Sequence, residues 1–166
     1  MPSWVAAPAG GGVRAQTIPG PTRPCVAGRT PLAVRGRIDR LDRVTLLLVG
    51  AGGFFGAVAR YLVDGWISRM TGAGFPWGTL AINLSGSFVL GLLFAMTVDR
   101  GILPAEIRAP VMIGFIGAYT TFSTWMLESW RLVETGEIAA AAGNVVGSVV
   151  LGLAAVFLGL LVGRLV

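Results

Sequence analysis

Histidine is absent from this chain of 166 residues, and its thirteen cationic side chains are all arginine, so lysine is absent too. Without histidine there is no imidazole for acid–base catalysis or for metal ligation. Cysteine occurs once, at Cys25, which excludes an internal disulfide and leaves no Cys/His metal site. The missing lysine removes Schiff-base chemistry and the P-loop cation. Charge of either sign is scarce. Only 13% of the residues are charged, against about 25% in a soluble domain. Hydrophobic residues make up 54%, and the mean hydropathy is +0.76. Thirteen arginines and eight acids cannot clothe a water-facing surface of this size, so a soluble globular enzyme is not expected.

Charge-free runs extend over 44–59, 70–98, 109–127 and 138–163. A hydrocarbon core about 30 Å thick takes roughly 20 apolar residues of helix. The expectation is an all-α integral membrane protein with four transmembrane helices at about 44–63, 77–98, 109–132 and 138–163. The first would carry Arg60 inside it. The connections are short and hold the turn-formers Gly72, Gly74, Pro76, Gly101, Pro104 and Gly136.

Residues 1–43 differ in kind. They hold seven of the thirteen arginines and most of the prolines, and no acid before Asp39. They read as a disordered basic tail: adhesive to anionic membrane lipid, an organelle-targeting leader, or an extension without function. No apolar h-region marks it as a secretory signal. With four crossings, Arg100, Arg108 and Arg164 lie on one side and Arg69 and Arg131 on the other, almost no bias under the positive-inside rule. Arg35, Arg37, Arg40 and Arg43 would pull the N-terminus inside.

The glycine-rich turn Gly50–Gly56 after Val44–Leu48 imitates a dinucleotide-binding motif, but three more long charge-free segments follow instead of alternating strands and helices. Gly52-x-x-x-Gly56 fits a close helix–helix contact better. Gly143-x-x-x-Gly147, Ser148-x-x-x-Gly152 and Gly159-x-x-x-Gly163 repeat the pattern. No nucleotide site and no nucleic-acid partner are expected.

Polar residues inside spans are costly unless paired or lining water. Arg60 would cost about 2.5–3.5 kcal/mol at mid-helix. It either snorkels and pairs with Asp64, or attracts anions. Asn83 offers two donors without charge, for a helix–helix bond or for a ligand. The run Gly114–Trp125 places two glycines and five side-chain hydroxyls, from Tyr119 to Thr124, in mid-span. A break there would free backbone carbonyls able to hold a small cation, whereas hydroxyls bonding back to their own helix are the alternative. Thr120, Thr124 and Glu128 at spacings of four would form a polar stripe, and Phe122 and Trp125 an aromatic one. Asn144 and Ser148 sit one turn apart in the fourth helix. Ring edges beside hydroxyls and an amide suit a small hydrated anion, and neutral donors would hold it weakly enough to let it go.

Three motifs in order then match one family. Gly52-Gly53-x-x-Gly56-Ala57-x-x-Arg60-Tyr61, Gly78-Thr79-Leu80-x-x-Asn83-x-x-Gly86-Ser87-Phe88 and Gly114-Phe115-x-Gly117-x-x-Thr120-Thr121-Phe122-Ser123-Thr124 resemble the Fluc (CrcB) fluoride channels. The resemblance covers about 44–163. It implies four-helix subunits in an antiparallel dimer with two fluoride pores. It also implies a structural sodium ion at the dimer centre, on the backbone carbonyls of Gly117 and Thr120. Asn83 would line the pore, and Phe122 would be its first phenylalanine. Ser123 and Thr124, leading toward Glu128, would form the hydroxyl track with Ser148, and Arg60 would set an electropositive vestibule. Two positions depart from the pattern: Trp125 stands where many members have a second phenylalanine, and Asn144 where many have a tyrosine. A homodimer and a heterodimer with a second subunit of the family are both compatible with these departures.

The implied activity is passive export of cytoplasmic fluoride, which enters cells as neutral hydrogen fluoride and ionises inside. The alternatives are a non-conducting structural membrane subunit, which leaves Asn83 and the hydroxyl run unexplained, and a small multidrug-type exporter. The latter usually carries an acid in its first span, where this chain has Arg60.

Overall fold

The computed structural model describes residues 32–72 and 74–166. Cys25 and the expected basic tail up to Pro31 lie outside the described residues. The first helix, α1 (Leu32–Thr71), begins ahead of the expected start at 44 and runs past the expected end at 63. The reason is physical: a charged residue marks where a helix leaves hydrocarbon, not where its backbone bonding stops. No proline interrupts the stretch, so its last, polar turns stay helical up to Gly72. Residues 32–43, read from sequence as the end of a disordered tail, are therefore helical.

After α1 come α2 (Trp77–Phe94) and a π-helical turn, Ala95–Asp99. A short 3-10 turn (Ala105–Ile107) leads into a π-helical stretch, Arg108–Ile116, that passes directly into α3 (Gly117–Tyr119). Pro110, which has no backbone N–H, lies early in that wide stretch. Then follow α4 (Phe122–Glu134) and α5 (Ile138–Leu165). Between α3 and α4 the chain is extended. Thr120 has φ −76° and ψ 157°, and Thr121 φ −150° and ψ 117°. Among the described residues, three stretches are long and apolar enough to cross a membrane: Arg43–Thr71, Trp77–Asp99 and Ile138–Leu165. The expected span at 109–132 is not among them, because the break divides it.

Each of the three turns between the long helices uses a glycine at positive φ: Gly72 at 77°, Gly101 at 63° and Gly136 at 83°. At the end of α4, Glu137 donates to the Leu132 carbonyl (2.8 Å) and Gly136 to the Val133 carbonyl (3.0 Å). This is a Schellman cap, which needs a left-handed residue where Gly136 stands.

Glycine also governs packing. A Cβ on Gly159 would strike the Phe88 carbonyl, one on Gly163 the Leu92 carbonyl, and one on Gly91 the Val156 carbonyl. Thus α2 and α5 meet backbone to backbone. Gly52 and Gly56 meet Pro110 and Phe115 in the same way, and Gly114 meets Val49. The small-residue faces expected at 52/56 and 159/163 are therefore contact faces, whereas Gly143, Gly147 and Gly152 meet nothing within 4 Å. Contact through backbone leaves few apolar side chains buried: Ile82, Ala95, Ile116 and Ala141. The large ones, such as Leu46, Leu47, Phe54, Leu153 and Phe157, point outward.

The ends sort into two sets. Arg164 Nε pairs with Asp99 Oδ2 at 2.8 Å, and Arg100 Nη1 donates to the Arg164 carbonyl, so α2 and α5 end together and run parallel. Ser68, Phe75, Arg131 and Glu137 gather at the other end around a cavity of about 520 Å³. The chain from Arg108 to Glu134 must therefore run back between them.

Gly159→Leu should force α2 and α5 apart at a cost of about 1–3 kcal/mol. A lowered thermal midpoint in detergent would register it. Gly65→Ala, with nothing within 4 Å, should leave the midpoint unchanged or raise it. Equal melting of the two variants would refute the backbone contact.

Candidate functional site

The break is held by side chains that replace lost helical bonds. Thr121 gives its N–H to Asn83 Oδ1 (2.8 Å) instead of to the Gly117 carbonyl, and its own carbonyl accepts from Asn83 Nδ2 (3.1 Å). Thr124 gives its N–H to Thr121 Oγ1 (3.3 Å) instead of to the Thr120 carbonyl. Thr121 is thus the N-cap of α4, and its hydroxyl donates on to Thr124 Oγ1 (2.9 Å). A Cβ on Gly86 would strike Thr120, so the extended residues rest directly on α2. Four carbonyls lose their helical donors at the break, those of Gly117, Ala118, Tyr119 and Thr120. Thr120 Oγ1 bonds back to the Ile116 carbonyl (2.9 Å), so back-bonding accounts for one hydroxyl of the run.

A cavity of about 330 Å³ opens at the break. Asn83, Gly117, Thr120, Phe122, Trp125 and Ser148 line it, with Ser87 and Thr121, and no charged residue among the described ones does. Phe122 is 71% exposed and meets Trp125 edge-on, with ring centroids 5.4 Å apart and planes at 68°. The aromatic stripe expected from spacing is present. The polar stripe is not continuous: the break resets the helical phase between Thr120 and Thr124, leaving Thr124 and Glu128 as its only helical pair.

The other candidates lie outside this cavity. Ser123 is exposed and Thr124 half-buried on α4. Glu128 borders the second cavity; its Oε1 accepts from Thr79 Oγ1 (2.9 Å), and its Oε2 is buried without a partner among the described residues. Asn144 is 1% exposed and faces α4. Its Nδ2 donates to Ser129 Oγ (2.9 Å), and its Oδ1 accepts from Ser148 Oγ (3.4 Å). Arg60 is half-buried on α1 and forms no ion pair with Asp64, whose carboxylate packs against Gly78. The snorkelling pair weighed from sequence is not formed.

A family model described as CrcB-like protein, Camphor Resistance (CrcB), matches residues 47–160. The chain belongs to the CrcB family. Among its relatives is a protein of Hahella chejuensis named fluoride-specific ion channel FluC, 46% identical over 73% of this chain and 95% of its own length. One of Geobacter metallireducens with the same name is 41% identical over 73% and 98%. A third, fluoride-specific ion channel FluC 1 of Symbiobacterium thermophilum, is 48% identical over 70% and 95%. The CrcB match includes every candidate residue named above.

Thr79 and Ser87 enter the sequence reading of this CrcB chain only as motif positions and Thr121 only as part of the hydroxyl run, not as a cap; Ser129 does not enter it at all. Thr121 carried a readable signal, a threonine three residues ahead of another hydroxyl at a helix start. A single hydroxyl such as Ser129 carries none, because it most often bonds its own preceding turn.

Asn83→Ala strands the Thr121 N–H, whereas the Thr121 carbonyl, as the N-cap carbonyl, keeps the first helical bond of α4. The expected loss is about 1–3 kcal/mol for the buried N–H left unpaired. Thermal melting and amide exchange at Thr121 would read it, and unchanged exchange would refute the clamp.

Proposed function

We propose that this chain is a subunit of a fluoride-specific ion channel in the cell membrane, through which cytoplasmic fluoride leaves passively and its toxicity falls. One observation carries the reading: the cavity at the break offers neutral donors and aromatic edges and no charge. Asn83 has a second Nδ2 hydrogen beyond its bond to Thr121, and Ser87 forms no side-chain hydrogen bond among the described residues. Such groups replace part of a small anion's hydration, while the edges of Phe122 and Trp125 add weakly positive C–H surface. Without a fixed cation the anion is not trapped. Ser123, Thr124 and Glu128 continue the polar path along α4, with Ser148 on the facing helix, and Arg60 makes the approach electropositive. Asn144 acts through its neighbours. The names of the relatives support the same ion. A channel subunit of this kind is a transporter and not an enzyme.

Four crossings are supported by the parallel course of α2 and α5, which requires the broken segment to return between them. The carbonyls of Gly117 and Thr120, stripped of helical donors, are suitable hard ligands for a structural sodium ion. Two carbonyls from one chain are too few to surround it, and an inverted second copy would bring two more. This supports an antiparallel dimer, with itself or with another subunit of the family.

In liposomes, the purified protein should release fluoride and not chloride, as read by a fluoride electrode. Phe122→Ile removes ring edges worth about 1 kcal/mol, and should slow release roughly fivefold. Silence of the protein both alone and with a second family subunit would refute the channel.

Replacing sodium by a large organic cation on both sides should slow fluoride release, and returning sodium should restore it. Release indifferent to the exchange would remove the sodium site from the reading.

A further inference from the structure

We propose that Ser129 and Asn144 are positioning residues that hold the Trp125 ring as a fixed wall of the cavity, and so help set which halide passes. The proposal rests on the channel reading above. Trp125 has one polar side-chain atom, and its Nε1–H donates to the backbone carbonyl of Asn144 in α5 at 3.2 Å. The indole donor is therefore engaged between the helices, and the ring offers the cavity carbon. Asn144 Nδ2 donates to Ser129 Oγ at 2.9 Å, and Ser129 Oγ donates to the Trp125 carbonyl at 2.7 Å. The bonds form a closed circuit that leaves Trp125 at its ring and returns to it at its backbone.

Ser129 is 6% and Asn144 1% exposed, and neither lines the cavity. Two buried polar side chains in an apolar bundle call for a reason, since each unpaired group there is costly. Their bonds end on two residues that do line it. Asn144 Oδ1 accepts from Ser148 Oγ at 3.4 Å, so one amide fixes a wall residue on each of two helices. The Trp125 ring also meets Phe122 edge-on. A wall that cannot yield discriminates by ion size, whereas one that can yield accommodates the larger halide.

The test uses the full chain reconstituted in lipid, with two readouts. One is solvent exchange of the Trp125 indole proton in protein labelled with 15N-tryptophan, the resonance being assigned by its loss in Trp125→Phe. The other is the ratio of fluoride to chloride efflux. Ser129→Ala should speed indole exchange and lower the ratio severalfold. Trp125→Phe drops only the ring donor and the larger ring, leaving Ser129 and Asn144 intact, and should lower the ratio also. On that background Ser129→Ala should add nothing. An equal further fall in the double variant would overturn the proposal, because Ser129 would then act by another route. Faster exchange with an unchanged ratio would reduce the circuit to packing and overturn its role in selection. Should Ser129→Ala not fold, an unchanged ratio in Trp125→Phe alone would overturn it equally. A wild-type protein with a protected indole proton but no fluoride release in any pairing would instead sink the channel reading, leaving the circuit as a structural fact.

Discussion

Two hydrogen bonds between the Asn83 amide and the backbone of Thr121 are what the rest of the site depends on. A chain cannot stop being helical inside hydrocarbon unless other groups take up its N–H and carbonyl. Asn83 takes up the Thr121 N–H and adds a donor to its carbonyl, and the Thr121 hydroxyl takes up the N–H of Thr124. Because these donors are diverted, the carbonyls of Gly117 and Thr120 are left over. The liberated acceptors, the cavity and the polar start of α4 thus follow from a single substitution of side chain for backbone. An unbroken helix through 120 and 121 would remove all three together.

That substitution needs α2 close to the break, and glycine supplies the closeness. Gly86 lets Thr120 rest on α2, while Gly91, Gly159 and Gly163 let α2 and α5 touch through their backbones. Lipid gives helices no hydrophobic reason to associate, so close approach and short polar bonds have to do it. The buried polar residues Thr79, Thr121, Ser129 and Asn144 lie where such approach brings donors and acceptors within reach. Packing and site are therefore one arrangement.

Much of this was legible in the sequence, for reasons that also define what was not. Four charge-free runs located the helical segments, but charge reports the bilayer edge and not the helix edge, so α1 was placed too short. Five hydroxyls in six residues announced the break. They could not announce its phase, and the Thr120–Thr124 stripe fails for that reason. Phe122 and Trp125 lie wholly within α4, and their predicted pairing survived. Asn144 was expected on the pore wall. Its orientation was unreadable because α5 is apolar all round, and a helix without an amphipathic face does not say which side a lone amide takes.

Charge at the ends of the bundle has a packing role that limits what it can say about orientation. α2 and α5 finish together, and helix C-termini leave carbonyls without donors and a partial negative charge. Arg100 donates to the Arg164 carbonyl, Arg108 to the Thr97 carbonyl at 2.9 Å, and Arg164 pairs with Asp99. These arginines serve helix ends that would need cations whichever way the bundle faced. Set against Arg69 and Arg131 at the opposite end, they leave the bundle little orientation of its own under the positive-inside rule. The arginines ahead of Val44 are then the sequence's remaining source of it.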